Sequence, residues 1–492
     1  MTVVNPKSIS GINSITTGSG SDNLLTIHTN DGTERVRVDS TGTTKIVTGI
    51  VTTLTATTGI VTTLTTNTLT ANSTAKVGSG VTLSPDGDVF VTGVTTSTTV
   101  QVGGGVTISE SGIEASGIGI TVANINGGAV SGRRNMIING DQRLAQRNTT
   151  AKLVTTDATY RCVDRFKTDI DGSSGGNFFH GQTGAGTSIT ADVPTGQGFT
   201  HSSKITVNAS VSQPSGTDNR HQFYTMLEKQ DVAHLEWGTS AAKTCTLSFW
   251  VKSSVAGTYI LWIKFYGATA YHYYTNYTID SANTWEKKVI TLTGHTSGGN
   301  VSGTVTDQGF LIEWNLGTSS GNETGTLNEW TTSDTIRAAS GSVYLPENSG
   351  ATWYLTGVQF EVGSQATAFE HRSMAEELAL CQRYFQQFVN ICAVGYVPNN
   401  SSKSYSHAII HPVEMRAAPT VSLTNTGSSQ GQSVTDGENT VYVSSLLSTG
   451  RLTSHSTLSF NLSGDLTNYR GAYLGGTTNT ANQTTISFNA EL

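Results

Sequence analysis

A ten-residue repeat in the first part of the chain restricts its fold more than any other feature. Residues 49–55 read GIVTTLT, and the same letters return at residues 59–65. Because ten is even and strand side chains alternate with a period of two, the repeat keeps its apolar residues on one face of an extended chain. The apolar positions on that face are Ile46, Ile50, Leu54, Ile60 and Leu64.

A second repeat extends this pattern and predicts a stalk. Residues 77–84 are matched by residues 102–109. Each unit is too thin to bury its own apolar face, so such repeats need stacked neighbours or other chains. We predict that residues 1–131 form a repetitive β stalk in which three copies wind around one axis. The alternative interpretation is a flexible Thr/Ser-rich linker. The predicted trimer-interface residues of the stalk are Ile50, Leu54, Ile60 and Leu64.

The charge of the chain argues against several classes of function. Charged residues make up 13% of the 492 residues, against about 25% in an average globular chain, and the net charge is −7. Because no Lys/Arg run is longer than a pair, we expect no nucleic-acid binding. No apolar stretch approaches about 18 residues, and no charged segment precedes an apolar one at the start. We therefore expect no membrane insertion and no secretory leader.

The cysteines do not form a disulfide framework. Cys162, Cys245, Cys381 and Cys392 lie far apart and include no CxxC pair. We expect them to be reduced and mostly buried, in a protein assembled in a reducing cytoplasm.

Alternating strands dominate the middle region, residues 132–372. Strand patterns occupy residues 244–253, 259–265 and 284–292, and the last one covers residues 351–363. Eight or more such segments at spacings of about 8–12 residues predict a β-sandwich of jelly-roll type.

One strong helix signal follows the middle region. Ser373 and Glu376 fit a capping box, in which a hydroxyl and a carboxylate satisfy free amides of the first turn. Apolar residues then recur at alternating spacings of four and three, which predicts one apolar stripe. We predict a connecting helix within residues 373–392. It either clamps three copies together or packs within its own subunit. Its predicted trimer-interface residues are Leu378, Cys381, Phe385 and Phe388.

Residues 393–492 form a third strand-rich region. Its patterns predict a small β-sandwich at the tip of the molecule. The fold class that follows for the whole chain is all-β: an elongated homotrimeric fibre with a stalk, a jelly roll, one short helix and a tip. The predicted strands of the tip are residues 408–411, 420–423, 440–443, 458–462 and 485–488.

Aromatic residues give the best candidate for recognition. Strand alternation over residues 270–277 places Tyr271, Tyr273 and Tyr277 on one face. Flat rings with polar tips suit stacking on sugar rings and hydrogen bonding to hydroxyls, so these tyrosines are predicted to bind a glycan. The alternative is that they pack in the sandwich core or between subunits. Three tryptophans that alternate with apolar residues are predicted to be core: Trp250, Trp262 and Trp353.

The sequence offers little for catalysis or metal binding. The glycine run at residues 103–105 lacks the Lys-Ser/Thr of a phosphate loop, and the histidines form no HExxH motif. Glycoside hydrolysis needs two carboxylates across a cleft, and Glu361 and Glu370 flank one short segment. Glu361 is better explained as a partner for a backbone amide or an arginine. We expect no cofactor, no metal, no catalytic residue and no enzymatic activity.

Several motifs resemble those of one group of proteins. Residues 24–42 read as a strand, a turn and then Glu-Arg-x-Arg-x-Asp-Ser-x-Gly, a phrase similar to one in bacteriophage tail fibres. Residues 135–166 resemble the opening of a phage fibre domain related to carbohydrate-binding-module jelly rolls. Residues 357–372 and 377–385 resemble its closing strand and following helix. The resemblance covers about residues 133–390, and the stalk repeats are similar to those of cyanophage fibres.

This resemblance implies a structural protein of a virion, in its tail or baseplate, assembled in the host cytoplasm. Its implied partners are two further copies of the chain, tail or baseplate proteins at the stalk, and a host surface glycan such as lipopolysaccharide or capsule. The implied function is host recognition and attachment. The alternatives are a virion-associated depolymerase and a passive fibre or adhesin without glycan specificity.

Overall fold

The structure is a computed structural model, and it falls into two compact units. One unit comprises residues 1–102 and 107–113, and the other comprises residues 103–106 and 114–492. The described residues are 25–28, 31–38, 41, 44–46, 99–102, 106–109, 112–115, 133–155, 160–171, 177–184, 192–216, 219–301, 303–323, 326–334, 338–389, 393–397, 404–424, 433–467, 470–475 and 485–492.

Two small three-stranded sheets lie in the predicted stalk region. Their strand orders are β1-β2-β3 and β4-β5-β6. The strands are β1 (Leu25–His28), β2 (Glu34–Val38), β3 (Thr44–Ile46), β4 (Thr99–Val102), β5 (Val106–Ser109) and β6 (Gly112–Ala115).

The first of these sheets confirms the predicted hairpin. β1 pairs antiparallel with β2, and Gly32 turns the chain with φ 80°. The Asp31 carboxylate accepts a hydrogen bond from the Thr33 amide at 2.9 Å. No described side chain of this sheet is buried. The predicted stalk contacts at Ile50, Leu54, Ile60 and Leu64 lie outside the described residues and stay predictions.

The middle region is a sandwich of two six-stranded antiparallel sheets. Sheet I has the order β15-β12-β18-β10-β9-β7, and sheet II has the order β17-β14-β13-β16-β11-β8. The strands are β7 (Lys152–Val154), β8 (Phe166–Asp171), β9 (Asn177–Thr183), β10 (Ser202–Ala209), β11 (Arg220–Glu228), β12 (Cys245–Ser253), β13 (Gly257–Tyr266), β14 (Ala270–Ile279), β15 (Glu286–Leu292), β16 (Gln308–Thr318), β17 (Trp330–Thr331) and β18 (Thr352–Val362). One short helix, α1 (Lys229–Val232), follows β11.

Alternation along the strands builds the sandwich core. On β13, Tyr259, Leu261, Ile263 and Phe265 point inward and are buried. Trp353 on β18 reaches the same core from the opposite sheet and is fully buried. The strands predicted around residues 244–253, 259–265, 284–292 and 351–363 are confirmed as β12, β13, β15 and β18. The predicted all-β class is confirmed with them.

The predicted helix forms, but it is much shorter than the predicted one. Helix α2 covers Met374–Gln382, and the Ser373 hydroxyl accepts a hydrogen bond from the Glu376 amide as predicted. The next residues form β19 (Phe385–Val389), which pairs with a strand about a hundred residues away. The Gln386 side chain donates a hydrogen bond to the Gln382 carbonyl at 3.0 Å. In a longer helix, this carbonyl would accept its hydrogen bond from the backbone amide of Gln386 instead.

This ending corrects the predicted apolar stripe. Phe385 and Phe388 lie on β19 and not on the helix. Cys381 and Phe385 are buried among residues of their own chain, and Phe388 packs edge-on against Phe488. Leu378 is half-buried on α2. Packing within the subunit, the alternative to a trimer clamp, therefore accounts for Cys381 and Phe385. Cys162 and Cys245 are also free and buried, as expected, and Cys392 lies outside the described residues.

The third region is β-structure as predicted, but six of its strands close into a barrel. The barrel order is β20-β21-β25-β24-β23-β26, and β19-β27-β22 form a separate three-stranded sheet. The barrel closes because β26 pairs with both β20 and β23. The strands are β20 (Ala393–Tyr396), β21 (Ser404–Ile410), β22 (Thr420–Thr424), β23 (Ser433–Thr435), β24 (Thr440–Arg451), β25 (His455–Leu462), β26 (Gly471–Gly475) and β27 (Thr485–Asn489).

A buried ion cluster joins the third region to the sandwich. The Glu491 carboxylate pairs with Arg165 and, at 3.1 Å, with Arg147. Arg147 also pairs with Asp164 at 3.2 Å. The Arg165 guanidinium lies 3.4 Å from the ring centroid of Tyr384. The side chains of Arg165 and Glu491 are 1% and 4% exposed, so each charge depends on the other.

Replacing Glu491 tests this joint. Glu491→Gln leaves Arg165 buried without its anion, so we expect the unfolding free energy to fall by about 3–5 kcal/mol. Urea unfolding followed by tryptophan fluorescence measures the loss. Glu438→Gln is the matched control, because its pair with Arg470 is exposed and contributes little. Equal unfolding midpoints for the two variants would contradict the assigned role.

A buried histidine gives the sandwich a defined acid sensitivity. His180 on β9 is fully buried, contacts the Thr168 hydroxyl at 3.0 Å and packs against Phe223. Burial lowers the pKa of His180 from 6.5 to about 3.

We expect His180 to reduce stability as the pH falls from about 6.5 towards about 3, because only the unfolded chain takes up its proton there. The free energy of unfolding, measured in urea between pH 6 and 4, loses about 1.4 kcal/mol per pH unit from this residue. In His180→Gln the slope becomes shallower by that amount. An unchanged slope would show that His180 does not titrate as described.

Candidate functional site

The outer face of sheet I carries a row of alternating lysine and aromatic side chains. The row runs across the neighbouring strands β10, β18 and β12 to the residue directly before β15. We call it the lysine–aromatic row. Its members are Lys204, Tyr354, Lys252 and Trp285.

Strand register aligns this row. Tyr354 on β18 is directly paired with Lys204 on β10 and with Lys252 on β12. Directly paired residues on adjacent strands point to the same face. Their sequence neighbours Ile205, Val251 and Leu355 point inward and are buried. The row therefore lies on the outside of the sandwich because the alternate residues form its core.

The rings and the ammonium groups of the row are in contact. The Lys252 ammonium nitrogen lies 4.1 Å from the ring centroid of Tyr354 and 5.3 Å from that of Trp285. The Lys204 ammonium nitrogen lies 5.3 Å from the Tyr354 centroid. The rings of Tyr354 and Trp285 meet edge to face, with their centroids 6.1 Å apart. These are cation–π distances, which hold the ammonium groups over the rings and near the surface.

A second pair of side chains widens the surface. Trp250 on β12 is paired with Lys287 on β15, and both point outward. Gly357 follows on β18 with φ 62°, and a side chain there would collide with the rings of Phe199 and Trp250. Glycine at this position therefore allows Trp250 to lie against the strand. Trp250 and Trp285 are both half-buried, so part of each ring is open to solvent.

Positive charge on this surface exceeds negative charge. The Lys252 ammonium pairs with Asp192 at 3.3 Å. Among the residues that the structure describes, no carboxylate lies within 4.0 Å of the ammonium nitrogen of Lys204 or Lys287. Tyr354 is only 7% exposed, so the rings open to a ligand are those of Trp250 and Trp285. A site with two unneutralised lysines beside these half-buried rings is suited to a ligand that has both flat apolar faces and negative charge.

The three tyrosines that the sequence groups on one face of β14 differ in their burial. Tyr277 lies in the sandwich core, 4% exposed, and stacks on Tyr259 with ring centroids 5.6 Å apart. Burial raises its pKa well above 10. The predicted glycan-binding role of Tyr277 is wrong, because a ring enclosed in the core cannot contact a ligand. Tyr277 instead packs in the sandwich core, which is the alternative role given to these tyrosines above.

Tyr271 and Tyr273 lie at the edge of sheet II and are half-buried. Tyr271 stacks on His295 with ring centroids 3.8 Å apart, and its ring also abuts Gly298. Tyr273 packs against Trp330 at 5.1 Å. These contacts attach the loop at residues 293–300 and the short strand β17 to β14. The same contacts occupy ring faces that a sugar would otherwise touch. The predicted role of Tyr271 and Tyr273 in glycan binding stays a prediction.

Of the three tryptophans predicted to be core, Trp353 and Trp262 are buried in hydrophobic clusters, and Trp250 is not. Trp353 is in the core as expected, but Trp250 faces outward on sheet I. Trp262 is buried on the outer side of sheet II, where its indole N–H donates to His272 at 3.2 Å. The spacing of Trp250 and Lys252 within an alternating strand is the signal that marks the outer face, since a lysine two residues away shares that face.

The carboxylates considered for catalysis serve as backbone partners. Glu361 accepts hydrogen bonds from the Thr367 amide at 2.9 Å and from the Thr367 hydroxyl at 2.7 Å. Glu370 accepts one from the Asn135 amide at 2.7 Å. Glu361 thus has the structural role preferred from the sequence.

In the part of the chain that the structure describes, no group of three or more His, Cys, Asp or Glu side chains is placed to hold a metal ion. None of the described helices is both long and apolar enough to span a bilayer.

No protein-family profile and no curated protein matches the chain. Solved structures with a similar fold include the enzymatically active domain of tailspike protein 4 from bacteriophage CBA120, at 14% identity and a TM-score of 0.24. That match covers 46% of this chain and 21% of the tailspike chain, so the similar part spans about a fifth of the latter.

Two carbohydrate-binding structures are similar at the same level. The family 11 carbohydrate-binding module of a cellulosomal cellulase from Clostridium thermocellum is 15% identical, with a TM-score of 0.21 over 46% of this chain and 99% of the module. The N-terminal cellulose-binding domain of Cellulomonas fimi β-1,4-glucanase C is 12% identical, with a TM-score of 0.20 over 34% of this chain and 80% of the domain. At these TM-scores the likenesses carry no inference about ligands.

Proposed function

We propose that this protein is a homotrimeric phage tail fibre that attaches the virion to its host by binding an acidic surface polysaccharide. The lysine–aromatic row and the adjoining Trp250 and Lys287 form the proposed contact surface. The observation that carries the proposal is the alternation of Lys204, Tyr354, Lys252 and Trp285 across three neighbouring strands and the residue that precedes β15. The fibre assignment is supported by the sequence motifs at residues 24–42 and 357–385.

The chemistry of the row determines the ligand class. Open aromatic rings stack on the apolar faces of sugar rings. Ammonium groups donate charge-assisted hydrogen bonds to carboxylate, sulfate or phosphate groups. A neutral glucan would use the rings and leave the lysines without an anion. A polymer of uronic acids, or an acidic capsule or lipopolysaccharide, would engage both.

Weak contacts are sufficient for attachment by a fibre. Three copies of the surface on one fibre raise the effective concentration of the second and third contacts. The N-terminal part of the chain would attach to tail or baseplate proteins. We further propose that the protein binds without cleaving the polymer, since Glu361 and Glu370 already accept backbone hydrogen bonds.

Binding to polygalacturonate, an acidic polymer of uronic acid, tests the site. We expect the full chain to bind it and to bind neutral dextran at least tenfold more weakly. In Trp285→Ala and in the double variant Lys204→Gln/Lys252→Gln, affinity falls about tenfold or more, because each change removes about 1.4 kcal/mol of contact energy. Isothermal titration calorimetry and a reducing-sugar assay on the same mixtures measure binding and cleavage.

The matched control is Trp330→Ala, which changes a half-buried tryptophan at the edge of sheet II. It keeps the affinity if the row is the site. Loss of binding in Trp330→Ala with full binding in Trp285→Ala would transfer the site to the surface near Tyr271 and Tyr273. Release of reducing sugars would favour a depolymerase.

Ionic strength separates the charge contribution from the ring contribution. Raising the salt from 0.05 M to 0.5 M screens exposed charges, so the affinity of the wild type for polygalacturonate is expected to fall. The Lys204→Gln/Lys252→Gln variant is expected to lose much less of its remaining affinity. Equal salt dependence in the two proteins would contradict a role for these lysines.

A further inference from the structure

Lys252 differs from the other lysines of the proposed contact surface, because it already has a counter-ion from its own chain. Its ammonium nitrogen lies 3.3 Å from the Asp192 carboxylate. No carboxylate of a described residue lies within 4.0 Å of the ammonium nitrogen of Lys204 or Lys287. The lysine at the centre of the row is therefore neutralised, while the charges on either side of it are open to a ligand.

Little of the Lys252 ammonium group is open to solvent. Two aromatic rings and one carboxylate lie close to it, with the centroids of Tyr354 and Trp285 at 4.1 and 5.3 Å. The Lys252 side chain is 12% exposed, against 31% for that of Asp192. An incoming anion must therefore replace the Asp192 carboxylate or lie directly beside it, where the two negative charges repel each other.

The main chain of Asp192 is fixed, but its side chain is not. The buried Ser202 hydroxyl donates a hydrogen bond to the Asp192 carbonyl at 2.6 Å, and the following residues Val193 and Pro194 are buried. Among the described residues, the one hydrogen bond to the Asp192 carboxylate comes from Lys252. Rotation of this half-buried side chain is therefore enough to release Lys252, and the sheet does not have to move.

This exchange favours some anions over others. A ligand with one anionic group gains little at Lys252, because it only substitutes one carboxylate for another. A polymer with closely spaced anionic groups can bind Lys204 and Lys287 first. Its remaining groups are then held at a high effective concentration beside Lys252, where they can replace Asp192.

We propose that Asp192 is an internal counter-ion that competes with ligand anions for Lys252 and thereby restricts the contact surface to polymers of high anionic charge density. The inference rests on the proposed function, since the polysaccharide supplies the competing anions. Asp192 acts through Lys252 and determines specificity without contacting the ligand itself.

Removing the charge of Asp192 in the full chain tests the inference. Asp192→Asn keeps the shape of the side chain and the carbonyl that Ser202 contacts. We expect it to bind polygalacturonate about threefold more tightly than the wild type, because a partly exposed ion pair no longer has to be broken. For polygalacturonate with half of its carboxyl groups methyl-esterified, the expected gain is larger, about fivefold. Isothermal titration calorimetry measures both affinities.

Asp280→Asn is the matched control for the loss of one negative charge. The Asp280 carboxylate also lies 3.3 Å from a lysine ammonium, that of Lys288. Lys288 alternates with Lys287 along β15 and so points to the other side of the strand. We expect Asp280→Asn to leave both affinities unchanged.

A double-mutant cycle separates competition for Lys252 from any structural effect of the substitution. In the Lys252→Gln background, the additional change Asp192→Asn is expected to leave the affinity for polygalacturonate unchanged, because there is no ammonium group left to release. A rearrangement of the main chain around Asp192 would alter binding in both backgrounds.

Iodide quenching of Trp285 fluorescence measures the access of a simple anion without any polysaccharide. The contribution of Trp285 is obtained by difference from the variant Trp285→Phe. We expect Asp192→Asn to raise the iodide quenching constant of Trp285 about twofold, because the potential at Lys252 becomes more positive. Quenching by neutral acrylamide is expected to stay unchanged, and so is iodide quenching in Asp280→Asn.

The outcomes for the inference and for the proposed function are distinct. If the wild type binds polygalacturonate, unchanged or weaker binding in Asp192→Asn would overturn the inference, and so would an equal gain in the Lys252→Gln background. If the wild type does not bind it, the glycan proposal fails and iodide decides on Asp192. A rise in quenching then supports its role as a counter-ion, and no rise overturns that role.

Discussion

The buried pairing of Glu491 with Arg147 and Arg165 is the interaction on which the arrangement of the second unit depends. Arg165 and Glu491 are almost completely excluded from water, so neither charge is tolerable without the other. Their pairing brings β27 and its sheet against the opening loops of the sandwich. Tyr384 and Phe385 complete the joint by covering the two guanidinium groups at 3.4 and 3.6 Å.

This joint also explains why the helix ends early. The chain after Gln382 has two competing conformations, a further helical turn or a strand beside β27. In the strand, Phe385 pairs with Asn489, and the Ala490 amide donates a hydrogen bond to the Tyr384 carbonyl at 2.8 Å. Those bonds place Glu491 beside its arginines. The helix propensity of the few residues after Gln382 is outweighed by the strand pairing with β27 and the ion cluster, which form together.

Local features of the fold were predictable, and features that depend on a distant partner were not. The hairpin at residues 24–42, the capping hydroxyl of Ser373 and the main sandwich strands follow from turn residues and alternation within a few positions. The strand at Phe385 depends on residues 485–489. Alternation groups Tyr271, Tyr273 and Tyr277 correctly on one face, but it does not say which face the opposite sheet covers. On β12, the lysine two residues after Trp250 carries such information for its own strand, because a lysine is seldom placed in a core.

Sheet geometry connects the fold to the proposed function. The core fixes every second residue of β10, β12 and β18, and register then aligns the remaining ones into a rigid row of rings and ammonium groups. Hydrogen–deuterium exchange of the full chain, with and without an oligogalacturonate, tests this account most directly. The account predicts protection of the segments around residues 204, 252, 285 and 354. Protection confined to the segments around residues 271–273 and 330, with none at the row, would contradict it.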